Sequence, residues 1–151
     1  MRHAVVRTSP YSADQLFQLV GDVDRYPEFV PWITSMRTWN KRQIGPSANQ
    51  LDAEAGVGFS FLKERFSTRV RRDAAVHEIV VSLIRGPFHH LMNRWRFKPM
   101  GSGAVIEFEI DFAFKSRLLD NLLRNNFERA VDRLIQCFEE RAAALYGGGA
   151  E

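Results

Sequence analysis

Leu91-Met92-Asn93-Arg94-Trp95-Arg96-Phe97-Lys98 and, beyond Gly101-Ser102, Val105-Ile106-Glu107-Phe108-Glu109-Ile110-Asp111-Phe112-Ala113-Phe114 both alternate between apolar and polar side chains. That period of two is the mark of strands with one buried face. The Gly101-Ser102 pair between them suits a two-residue hairpin turn. Placing Met100 opposite Gly103 sets Trp95 against Phe108 and Phe97 against Ile106 on one face. The other face then holds Arg94 against Glu109 and Arg96 against Glu107. Apolar meets apolar and cation meets anion, so turn chemistry and cross-strand pairing select the same register.

Upstream, the chain reads as further strands. Leu51, Ala53 and Ala55 alternate, as do Leu62, Phe66 and Val70 against Lys63, Arg65, Arg69 and Arg71. Val76–Ile84 is almost continuously apolar until Gly86-Pro87 breaks it. Thr34–Arg42 reads as a strand before the Gly45-Pro46-Ser47 turn, and Arg2–Thr8 as a first strand stopped by Pro10. Ser12 and Gln15 form a capping box ahead of Leu16, Phe17, Leu19 and Val20, predicting a helix that ends near Gly21. Pro27 and Pro31 then allow only a short helical turn and an extended run.

Downstream, Leu118, Leu119, Leu122, Leu123, Phe127, Ala130, Val131, Leu134, Phe138, Ala142 and Leu145 recur at three- and four-residue steps. The spacing predicts one helix from Lys115 or Ser116 to Tyr146, closed by Gly147-Gly148-Gly149. At about 30 residues it would span roughly 45 Å. The expected class is α+β: a curved antiparallel sheet of six or seven strands wrapped around a long C-terminal helix, with two short helices after the first strand. Residues 1–151 read as a single domain with an ordered core of about 2–146.

Composition bounds the function. A chain of 151 residues with 45% apolar side chains and 12 Phe can bury a core without metal or disulfide staples. Its single Cys, Cys137, rules out an internal disulfide and suits a reducing, cytoplasmic setting. Lys and Arg number 21 against 18 Asp and Glu. That mild excess permits an anionic partner, a lipid headgroup or RNA, without requiring one. No apolar run approaches a spanning helix.

A curved sheet cannot press flat along a straight helix, so the gap is filled by side chains or left as a cavity. The faces assigned inward hold Trp95, Phe97, Phe108, Phe112 and Phe114 but also the small Ala53, Ala55 and Ala130. A ligand pocket and a filled core are the two outcomes.

The segment Gly21-Asp22-Val23-Asp24-Arg25-Tyr26-Pro27-Glu28-Phe29-Val30-Pro31-Trp32 resembles the signature of the coenzyme Q-binding family, which is START-like (steroidogenic acute regulatory lipid-transfer-like) and grouped with polyketide cyclases. Phe66-Ser67-Thr68-Arg69-Val70, Gly86-Pro87-Phe88, Asn93–Phe97 and Ile110–Ser116 extend the resemblance across Ala4 to about Ala143. Ile33 departs from the Cys common after the Pro-Trp pair. The resemblance implies a seven-stranded helix-grip fold that binds ubiquinone or a similar polyprenyl lipid as a chaperone supporting respiration. The quinone would be a bound ligand, not a redox cofactor, and peripheral contact with the inner membrane would follow. A bacterial branch of the family comprises ribosome-association toxins acting on the large ribosomal subunit, and fold kinship does not choose between the two.

The candidate pocket comprises Tyr26, Phe29, Val30, Trp32, Trp95, Phe97, Phe108, Phe112, Phe127 and Val131. The proline-stiffened Tyr26–Trp32 loop suits a gate over the pocket mouth or a plug in the end of the sheet. Arg69, Arg71 and Arg72 form the basic cluster that acidic neighbours do not neutralise, a surface for anionic lipid or ribosomal RNA. DNA is not an expected partner. No nucleophile, base and orienting group can be assembled, and His89-His90, read as loop residues, lack a third metal ligand. The expectation is a non-enzymatic binder with no catalytic or metal residues; polyketide cyclisation is the enzymatic alternative.

Overall fold

The computed structural model describes residues 1–59 and 62–147. Expectations placed on the Leu62 side chain and on Gly148-Gly149 lie outside the described residues. Seven strands form one antiparallel sheet: β1 Arg2–Ser9, β2 Ile33–Gln43, β3 Ala48–Phe59, β4 Leu62–Asp73, β5 Glu78–Arg85, β6 Phe88–Met100 and β7 Gly103–Phe114. Their order across the sheet is β1-β7-β6-β5-β4-β3-β2, so β1 pairs out of sequence with β7.

The β6–β7 hairpin has the register that its alternation dictates. Met100 faces Gly103, Trp95 faces Phe108, Phe97 faces Ile106, and Arg94 and Arg96 face Glu109 and Glu107. Gly101 takes φ of 61° at the turn, where a side chain would be strained. His89 and His90 belong to β6, not to a loop, because the pairing with β7 begins at Phe88 opposite Phe114.

Helix α1, Ala13–Gly21, begins at the expected capping box: Gln15 N donates to Ser12 Oγ (3.1 Å) and Ser12 N to Gln15 Oε1 (3.0 Å). It buries Leu16, Phe17, Leu19 and Val20. Val23–Glu28 follows as a short 3-10 turn containing Pro27.

The C-terminal helix departs from expectation. It is two helices, α2 Arg117–Arg124 and α3 Phe127–Ala142, followed by a π-helical turn over Ala143–Gly147. Asn125 caps α2, and Asn126, with φ of −122°, leaves helical space before α3. Two consecutive Asn offer the backbone local hydrogen-bonding alternatives to a helix, which an apolar stripe does not reveal. The stripe is also narrower than its periodicity implies. Leu118, Leu122 and Leu145 are exposed, and so is Ala130, which was expected to face the sheet. Val131, Ile135 and Phe138 of α3 do bury against the sheet.

Candidate functional site

Strand alternation carries Ile79, Trp95 and Phe108 across β5, β6 and β7 in one inward-facing row. This part of the interior is closed. Trp95 meets Phe108 edge-on at 4.7 Å and Phe138 at 5.0 Å, and stacks on Phe97 at 6.0 Å. Phe112 meets Phe127 at 5.1 Å. Trp95, Phe97, Phe108, Phe112, Phe127 and Val131 are therefore buried together in one continuous core. Offset aromatic packing of this kind is a rigid floor.

The Tyr26–Trp32 segment closes one end of that floor. Tyr26 and Phe29 both pack edge-on against Phe138 at 5.1 Å, and Val30 is fully buried. The Tyr26 hydroxyl donates to Val20 O. Burial raises its pKa well above the ordinary phenol value. Trp32 is half-buried, and its carbonyl accepts from Gly58 N at 2.9 Å, tying the segment to β3. Phe138 joins Tyr26, Phe29 and Trp95, yet the sequence marks it only as one more member of an apolar stripe.

Next to the closed floor the inward face is partly open. Val81 lies between Val70 and Asn93, Asn93 lies opposite Ile110, and Leu83 lies opposite Thr68. Val81, Leu83, Asn93 and Ile110, with Leu91 and Met36, point into the fold but keep some accessible surface. Inward apolar side chains that stay accessible are not fully covered by close packing and meet solvent there. Asn93 is the polar exception in this band. It accepts from Trp95 Nε1 at 3.0 Å and donates to Glu109 O at 2.9 Å. With one Nδ2–H given to Glu109 O, the second is left to donate to an acceptor in this apolar band. Alternation places Asn93 inward, but nothing in the sequence signals its bonding.

Neither of two pockets among the described residues is lined by this band. One, of about 80 Å³, touches Trp95 and Phe97 and is too small for a ring with a tail. The other, about 530 Å³, lies between the end of α1, the paired ends of β3 and β4, and the end of α3. Of the candidate pocket residues only Phe29 reaches it, and Arg25, Arg72 and Arg141 share its wall with Phe17, Leu19, Leu145 and Tyr146.

Arg72 in that wall corrects the basic cluster. Adjacent residues of a strand face opposite ways, so Arg71 and Arg72 cannot share a surface. Arg72 lies on the inward face opposite Ile79 and donates from Nε to Asn49 Oδ1 and from Nη1 to Gly21 O, both at 2.7 Å. There it caps the C-terminal end of α1, and burial lowers its pKa. Arg69 faces outward but is neutralised by Asp52 at 3.1 Å, a carboxylate nearly buried on the outer face. Arg71 alone of the three is exposed without an ion pair among the described residues. On the hairpin, Arg96 pairs with Glu78 at 3.3 Å and Lys98 with Glu107 at 3.2 Å, leaving no open basic face there among the described residues. Asp22 and Glu28 hold Arg25, and His90 holds Asp111, so these too read as surface pairing. Cys137 is a small buried member of the core.

Comparison with known proteins adds the lineage. A family model described as polyketide cyclase / dehydrase and lipid transport matches residues 9–139. The ribosome association toxin RatA of Pseudomonas aeruginosa is 36% identical over 140 residues, covering 91% of this chain and 92% of that protein. The mitochondrial coenzyme Q-binding protein COQ10 homolog B of Xenopus laevis is 30% identical over 142 residues, covering 91% of this chain and 56% of that protein. Among solved structures, the 18 kDa protein CC1736 of Caulobacter crescentus superposes with a TM-score of 0.81 at 58% identity, over 97% of this chain and 99% of that one. With its seven antiparallel strands, helix-grip arrangement and a family match over residues 9–139, this chain belongs to the polyketide cyclase / dehydrase and lipid transport family.

Proposed function

We propose that the protein binds ubiquinone or a similar polyprenyl lipid on its half-open inward face and carries it without transforming it, as a chaperone supporting respiratory electron transport. The observation that carries this reading is the band of Val81, Leu83, Leu91 and Ile110, apolar and still accessible beside the rigid aromatic floor. A headgroup would lie against Asn93, next to the buried Trp95, and the chain would run along the band toward the solvent. A tail of many isoprene units exceeds a pocket of roughly 1,000 Å³, so it would be only partly enclosed. The name of the Xenopus relative points to the same ligand class. The protein would act on the cytoplasmic side, meeting the inner membrane only peripherally.

Titration with a short-chain ubiquinone tests this, because a quinone bound at Asn93, beside Trp95, quenches its fluorescence. Saturable quenching is expected. Val81→Phe, which fills the band without adding charge, should weaken it about tenfold. Quenching that never saturates, or that ignores Val81→Phe, would sink the proposal.

A second reading, association with the large ribosomal subunit, is favoured by the RatA similarity. It lacks the three-arginine surface that would have carried it, since Arg72 faces inward and Arg69 is paired. Co-sedimentation with large subunits that is lost in Arg71→Ala, with quinone quenching absent, would replace the first reading with this one.

A further inference from the structure

We propose that α2 docks the protein on an anionic phospholipid bilayer, seating Leu118 and Leu122 among the headgroups so that the lipid-binding face opens toward the membrane. Its purpose rests on the lipid-binding reading; its geometry does not. None of the eight residues of α2 is buried. Leu118 is 66% exposed and Leu122 48%, and residues four apart are neighbours on one helix face. The opposite side is apolar as well, with Leu123 packed against the core. The helix thus shows leucine to the protein and leucine to the solvent, a pattern that folding alone does not require. Single exposed apolar residues need no explanation, but an adjacent pair on a helix with no buried residue marks a surface that something covers.

Charge identifies the occupant. Residues 115–129 carry Lys115, Arg117, Arg124 and Arg129 against Asp120 and Glu128. Asp120 is already committed, to Arg124 at 2.8 Å and to Phe114 N at 3.4 Å. Lys115 and Arg117 are exposed at the start of the helix, with no ion-pair partner among the described residues. Apolar side chains flanked by unpaired cations are how a short helix lies in the interface of an anionic membrane.

Position supplies the link to the ligand. Lys115 N donates to Pro87 O at 2.9 Å, and Phe114 stacks on Phe88 at 5.0 Å. Phe88 in turn meets Phe66 of β4 at 5.2 Å. The root of α2 is therefore fixed to the β5–β6 turn, beside the end of the half-open band at Leu83 and Leu91. The Asn125-Asn126 break lets α2 take this position independently of the axis of α3.

Co-sedimentation of the full chain with vesicles tests the proposal, using phosphatidylcholine alone and phosphatidylcholine mixed with phosphatidylglycerol. Binding is expected to the mixed vesicles and to weaken with salt. The double variant Leu118→Glu/Leu122→Glu should lose about tenfold in bound fraction while melting as the wild type does, since both side chains are exposed. Lys115→Gln/Arg117→Gln should lower binding to the mixed vesicles alone. Wild-type chain that ignores both vesicle types would overturn the proposal. So would a double variant that binds undiminished, or one that instead loses self-association or ribosome association. Quinone uptake from detergent micelles keeps the two readings apart. A chain that docks but takes up no quinone fails as a carrier only, and one that takes up quinone but ignores vesicles fails in docking only.

Discussion

Tyr26 shows how much one side chain does at the closed end of the sheet. It is buried against Phe138, and its hydroxyl is satisfied by Val20 O. Tyr26→Phe should cost about 1 kcal/mol of unfolding free energy, read from urea midpoints. Because burial raises the phenol pKa, the unfolded chain ionises first. This group leaves stability untouched below its ordinary value of 10.0 and lowers it as pH rises above that. The urea midpoint of the wild type should therefore fall between neutral and strongly alkaline pH by more than that of Tyr26→Phe. Asn93→Ala should cost about 1–3 kcal/mol, since it strips the Trp95 indole N–H of its acceptor. At this scale the sequence was legible in part. Alternation shows that Asn93 faces inward, and the same rule shows that Arg71 and Arg72 must diverge, whereas reading three arginines as one cluster ignores it. The partners that decide each role, Gly21 O for Arg72 and Asp52 for Arg69, lie 51 and 17 residues away and have no local signature.

Among the elements, the β6–β7 hairpin was legible because two separate patterns, face polarity and cross-strand charge, demand one register. Its turn depends on Gly101 at φ of 61°. The space beside Gly101 is open, so a side chain there meets no neighbour. Gly101→Val should therefore destabilise the protein by about 1–2 kcal/mol through backbone strain alone, read from urea midpoints. The C-terminal helix was less legible. Its leucines keep helical spacing straight through Asn125-Asn126, and the helix propensity of Asn falls short of Ala by well under 1 kcal/mol. Spacing alone therefore cannot distinguish one long helix from two. The break frees α2 from the axis of α3, and Leu118 and Leu122 point outward.

For the whole molecule, periodicity and turn residues were enough to place six or seven strands and a terminal helical layer, the family resemblance implied seven, and seven strands are observed. They could not show how far the two layers stand apart. Which residues face inward is encoded locally; whether they touch depends on sheet curvature and on the angle of α3. Trp95, Phe97 and Phe108 consequently turn out to be floor, while Val81, Leu83 and Ile110, which no sequence pattern marks as pocket residues, border the open band. Phe108→Arg would place a charge in the tightly packed floor and unfold the chain, so Val81→Phe is the sharper probe of binding. Whether a prenyl quinone occupies this band is read from mass spectrometry of lipids extracted from protein purified out of a quinone-rich host. Co-purified quinone is expected with the wild-type chain, with a marked depletion in Val81→Phe at unchanged melting temperature. Repeated absence of quinone from the wild type, or equal amounts in both, would contradict occupancy of the band.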